Sequence, residues 1–144
     1  MRAIVLPPAH GKSYIVEKGE NPLLREADLV YPYQHDDDLV AKRLTAKLTG
    51  DWKSYDAAWA VKLRERCNSA DIIMVPHAQI AKYMEIEIIA VCVLTMKQWE
   101  KNLSLRNKTP KDYLTVYADA SKIATHLFVD NKSLYKAVLE MSWK

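Results

Sequence analysis

At 144 residues the chain has room for one domain, spanning residues 1–144, with a single core that needs no disulfide or metal staple. Its two cysteines, Cys67 and Cys92, lie far apart without a CxxC pattern, which points to reduced thiols in a cytoplasmic setting and away from redox chemistry. Basic residues exceed acidic ones by 21 to 18, a mild excess that suits a phosphate-bearing partner; no apolar stretch nears the ~20 residues of a membrane span, and no signal-peptide pattern follows Met1, so no membrane partner is expected.

The first predicted element is a strand over residues 3–6. It runs into the loop LPPAHGKS, residues 6–13, and then into a helix that begins with Tyr14. A second short strand is predicted over 29–31, followed by the acidic run Asp36, Asp37 and Asp38, which can cap the next helix and complement its dipole. Residues 53–67 place Tyr55, Trp59, Leu63 and Arg66 at helical spacing. The runs 72–75 and 86–94 are rich in Val and Ile without polar alternation, as in strands covered on both faces of a parallel sheet. Thr95 followed by Gln98 is a capping-box pattern that opens a helix carrying Met96, Trp99 and Leu103 on one face. Helices over 112–124 and 132–141 flank a weaker strand at 126–129. This alternation predicts an α/β fold, a three-layer sandwich around a five-stranded, mostly parallel sheet.

The loop carries the chemistry. A phosphate-binding loop needs an abrupt strand end, backbone N–H groups turned toward an anion, a lysine for the phosphate oxygens and a Ser or Thr hydroxyl for magnesium. Ala9, His10, Gly11, Lys12 and Ser13 supply consecutive N–H donors, Lys12 the ammonium and Ser13 the hydroxyl. Only three glycines occur in the chain, Gly11, Gly19 and Gly50, so Gly11 directly before Lys-Ser is not filler. A Cβ at position 9 would crowd a phosphate or oppose a positive φ.

On these residues the segment resembles the GPPGSGKS form of the Walker A loop in P-loop nucleoside and nucleotide kinases. Pro7, Pro8, Gly11, Lys12 and Ser13 match, whereas Leu6, Ala9 and His10 depart. The resemblance implies ATP and Mg2+ as cofactors, with Ser13 on the metal, His10 placed to touch phosphate, and the acceptor a nucleoside, a nucleotide or a polynucleotide 5′-hydroxyl. It implies further that a carboxylate beyond the second strand, Asp36 or Asp37, readies the acceptor hydroxyl, with Arg43 able to reach an acceptor phosphate. The segment 97–111 resembles a lid, in which Arg106 would close over the transferring phosphoryl group, while Lys97 and Lys101 also fit a solvated helix face. Asp130 and Asn131 would border the adenine, or cap a helix. The acid that often follows the third strand is missing, since residue 75 leads into Pro76 and His77. Two functions therefore stand at this level: a kinase, or a nucleotide-binding or structural module of the same fold whose catalytic parts have eroded, as expected of a divergent viral or phage protein.

Dispersed histidines exclude a Cys/His metal centre, and no GxSxG or Cys-His arrangement suggests covalent hydrolysis.

Overall fold

Apolar runs that can satisfy their backbone only in a sheet, and their side chains only away from water, build the centre of the molecule. The computed structural model describes residues 1–144. Its strands are β1 (Arg2–Val5), β2 (Leu24–Glu26), β3 (Ile72–Val75), β4 (Glu87–Leu94) and β5 (His126–Phe128). They form one sheet in the order β2-β3-β1-β4-β5, with every neighbouring pair parallel. Ala3, Ile4 and Val5 of β1, all of β3 and Ala90–Leu94 of β4 are buried without alternation. That pattern requires cover on both faces, and the helices supply it.

Eight helices connect the strands: α1 (Lys12–Lys18), α2 (Ala27–Val30), α3 (Asp37–Thr49), α4 (Lys53–Arg66), α5 (Ala78–Met84), α6 (Met96–Leu105), α7 (Leu114–Lys122) and α8 (Asn131–Ser142). Three have side-chain caps. The Asp36 carboxylate accepts from the Leu39 N–H on α3, Thr95 from the Gln98 N–H on α6, and Asp130 from the Ser133 N–H on α8, each satisfying a donor the helix start leaves free. The α/β architecture and parallel five-stranded sheet expected from the sequence are present. No helix is long and apolar enough to cross a membrane.

One expectation is overturned. Residues 29–31 are not the second strand; 27–30 are helical, and the strand is Leu24–Glu26, paired in parallel with β3 from Leu24↔Ile72 to Glu26↔Met74. A three-residue apolar run carries no period of its own, and neighbours decide whether it extends or coils. Val30 turns into the core as part of α2, while Leu29 stays exposed.

The order of the strands fixes where a ligand can enter. From the carboxyl end of β1 the chain turns toward β3 and β2, and from that of β4 it turns toward β5. Connections diverging from adjacent strands leave a crevice at their carboxyl ends. The loop 6–11 and the start of α6 stand at that crevice.

Candidate functional site at the carboxyl edge of the sheet

The loop between β1 and α1 turns through two residues in the left-handed region, Ala9 at φ 63° and Gly11 at φ 83°. Its carbonyls are taken one after another by side chains. The Lys12 Nζ donates to the Leu6 oxygen at 2.9 Å and the Pro7 oxygen at 3.2 Å. The Pro8 oxygen accepts from His10 Nδ1 at 3.0 Å and Trp99 Nε1 at 3.2 Å, and the Ala9 oxygen from Asn102 Nδ2 at 2.9 Å. By contrast, the N–H groups of Gly11, Lys12 and Ser13 donate to no group of the protein.

The His10 side chain, expected to touch phosphate, bonds within the protein through both ring nitrogens. Its ring is buried, Nδ1 donates to the Pro8 carbonyl, and Nε2 accepts the Leu94 N–H at 3.0 Å. Both nitrogens are occupied in tying the loop to the end of β4. Burial lowers its pKa to about 4, with the Lys12 charge adding to the fall against the Pro8 hydrogen bond. The unfolded ring protonates near pH 6.5, so the neutral ring's contribution is complete above that value and is lost as pH falls toward 4. The loss amounts to about 3 kcal/mol. Urea unfolding of the wild type and His10→Gln at pH 7.5 and 4.5 is expected to show the acid loss shrinking by about that amount in the variant.

Lys12 is buried, and desolvation lowers its pKa to about 8; Asp28 and Glu26 oppose the fall and Arg106 adds to it. The ammonium thus remains charged at neutral pH while held by carbonyl oxygens alone. Beside it the Ser13 hydroxyl donates to Glu26 Oε2 at 2.8 Å. Burial raises the Glu26 carboxyl, against the Ser13 hydrogen bond and the Lys12 charge. Two cavities meet at the loop. The smaller, about 110 Å³, is bounded by residues 8–13, Glu26, Asp28, Pro76 and Arg106. The larger, about 700 Å³, is lined by apolar and aromatic side chains, among them Ile15, Leu105, Leu134 and Tyr135, interspersed with the polar Asn102, Asn131 and Arg106. Ala9, His10, Gly11 and Arg106 border both.

The two asparagine amides bond each other in both directions, Asn102 Nδ2 to Asn131 Oδ1 at 2.9 Å and Asn131 Nδ2 to Asn102 Oδ1 at 3.1 Å, while Gln98 donates to Asn102 from one turn earlier. Tyr14 meets Tyr135 edge-on at 5.6 Å. The volume of the larger cavity falls in the range of small-molecule sites, and its lining mixes apolar with hydrogen-bonding groups.

Of the residues singled out from the sequence, Ala9, His10, Gly11, Lys12, Ser13 and Arg106 meet at the small cavity, and Asn131 lines the large one. Asp36 and Asp37 are not brought to either. With β2 ending at Glu26, Asp36 falls after α2 and a 3-10 turn, where its carboxylate caps α3 and accepts the Tyr31 hydroxyl at 2.6 Å; Asp37 lies in the first turn of that helix. His77 faces Asp56 at 3.5 Å. The Arg43 guanidinium stacks over Tyr33, 4.4 Å from the ring centroid, with Trp52 at 5.5 Å. The carboxylates that do reach the site are Glu26, which drew no reading from the sequence, and Asp28, which at the start of the misplaced strand reads as a surface or turn residue. Their signal is an acid at each of two alternate positions, Glu26-Ala27-Asp28, after a short run bounded by Pro22.

Compared with known proteins, the chain matches no family model, no curated protein and no solved structure.

Proposed function

We propose that the protein is an ATP-dependent phosphotransferase that moves the γ-phosphoryl group to an acceptor hydroxyl. One observation carries this reading. A buried, charged Lys12, the Ser13 hydroxyl, two carboxylates and Arg106 line one small hollow of about 110 Å³, which shares Ala9, His10, Gly11 and Arg106 with the cavity of about 700 Å³. The placement of that hollow, on a strand–loop–helix turn at the divergent carboxyl ends of parallel strands, supports a P-loop type of nucleotide site.

Each group has a distinct task. Lys12 trades its two carbonyl partners for β and γ oxygens, a gain because an anion is a stronger acceptor than a neutral carbonyl. The unpaired N–H groups of Gly11, Lys12 and Ser13 would be donors to the same anion. Ser13 and Glu26 form a hard oxygen pair that suits Mg2+, so the acid absent after β3 has a counterpart at the end of β2. A magnesium ion there would neutralise charge between the β and γ phosphates. Asp28, exposed and without a partner in the protein, accepts the proton of the incoming hydroxyl. Arg106 borders both cavities, and its charge would stabilise the transferring group.

The test is thermal unfolding with ATP and Mg2+, paired with transfer of labelled phosphate to a panel of nucleosides, nucleotides and 5′-hydroxyl oligonucleotides. Stabilisation by ATP at millimolar concentration together with transfer to one class of the panel is the expected result. Binding without transfer would leave a nucleotide-binding module, and the absence of any shift would end the nucleotide reading altogether.

A further inference from the structure

We infer that Asn102 is a positioning residue for the phosphate loop, doing for Ala9 what a glycine would do without help. This rests on the proposal that the loop binds phosphate, and it concerns how a loop lacking the usual glycines is held open.

The difficulty sits at one residue. Ala9 adopts φ 63°, where its Cβ crowds the backbone; alanine enters this region rarely and leaves it readily unless the surroundings fix it. Its side chain is buried, so the peptide has no room to sample alternatives without disturbing the wall behind it. The Asn102 Nδ2 bond to the Ala9 carbonyl at 2.9 Å fixes the direction in which that peptide points. With the Ala9 carbonyl held by α6, the N–H groups of Gly11, Lys12 and Ser13, in residues that line the hollow, are left without an acceptor in the protein and so free for an anion.

Asn102 is itself held. It stands on α6 between Gln98, one turn before it, and Asn131 at the start of α8, with both partners on its oxygen and Asn131 also on its nitrogen. Trp99, on the same helix, donates to the Pro8 carbonyl and stacks on Tyr117 with ring centroids 4.2 Å apart. Two side chains of α6 therefore grip two consecutive carbonyls of the loop, and the helix that grips them ends at Arg106. The loop's shape and the position of the arginine over it are set by one rigid element.

The consequence is a specific pattern of rescue. Asn102→Ala is expected to let Ala9 relax out of the left-handed region and to weaken ATP–Mg binding by about tenfold, the scale of one lost hydrogen bond to a charged group. Ala9→Gly in that background is expected to restore most of the affinity, because glycine holds a positive φ without a clamp. A residue that merely stabilised α6 would give no such rescue, since the substitution at position 9 adds nothing to the helix.

Two measurements on the four proteins of this cycle decide it. Titration calorimetry well below the melting temperature reads ATP–Mg affinity. Carbon chemical shifts of Ala9, read in the wild type and in Asn102→Ala labelled at alanine, report its backbone conformation with no ligand present. Unchanged Ala9 shifts in Asn102→Ala, or affinity that stays low in the double variant, would overturn the inference. Shifts that move as described in a protein that binds no ATP would leave the clamp standing and instead remove the phosphate-loop proposal.

Discussion

Asp28→Asn is expected to lower the rate of phosphoryl transfer by about 10²- to 10⁴-fold, the span that a positioned general base contributes, while ATP–Mg affinity stays close to wild type. The separation follows from where the carboxylate sits. Asp28 borders the small cavity yet is solvent-exposed and makes no hydrogen bond or ion pair within the protein, so an amide of the same shape breaks no direct contact and removes only the charge that supports the Lys12 ammonium. Glu26 is its opposite. It is buried and holds the Ser13 hydroxyl, so Glu26→Gln should weaken magnesium-dependent binding first and transfer as a result. Steady-state kinetics with the acceptor that the panel identifies, together with calorimetric titration of ATP–Mg, distinguishes the two. A normal turnover number in Asp28→Asn would move the base to another group.

The sheet was legible from the sequence where burial is two-sided. Val and Ile runs at β1, β3 and β4 have no other way to hide both their side chains and their backbone. β2 was not legible, because its three residues include Arg25 and Glu26, whose charges are acceptable in a strand only through tertiary partners. Arg25 pairs with Asp71 at 3.2 Å and Glu26 with Ser13. Neither pairing leaves a local pattern, and the misplaced strand carried the base assignment to Asp36 and Asp37.

The candidate site divides along the same line. Gly11, Lys12 and Ser13 are legible because their spacing is local and each residue type has one clear use at a phosphate. The concern over Ala9 was legible too, as a conflict between a side chain and a positive φ. Its resolution lies 93 positions along the chain, at Asn102, among helix residues that read as an ordinary polar face. His10 illustrates the reverse. An imidazole beside a phosphate motif suggests a ligand, yet the fold uses it as a neutral bridge from Pro8 to Leu94.

Lys12→Met is expected to make the unliganded protein more stable while removing its response to ATP. A methionine fills nearly the same space without a charge to desolvate, and the lowering of the Lys12 pKa from 10.5 to about 8 measures what that desolvation costs, about 3 kcal/mol by linkage. Against this, the Leu6 and Pro7 carbonyls lose their donor, at about 1 kcal/mol each. The balance at neutral pH is a gain of about 1 to 2 kcal/mol, or roughly 3–6 °C in melting temperature for a domain of this size. The sign can be followed with pH. Between 8 and 10.5 the unfolded lysine binds a proton that the folded one has released, so the wild type gains stability as pH rises through that window, and the advantage of the methionine variant fades there. ATP affinity moves the other way, falling by about 100-fold or more with the loss of a buried charge facing an anion. Melting curves of both proteins at pH 7 and 10, with and without ATP–Mg, carry the whole comparison. A variant that is less stable at pH 7 would mean that the carbonyl bonds outweigh desolvation and that the lysine serves structure. A variant that is more stable yet unresponsive would mark Lys12 as a charge kept at the expense of the fold for the sake of a phosphate.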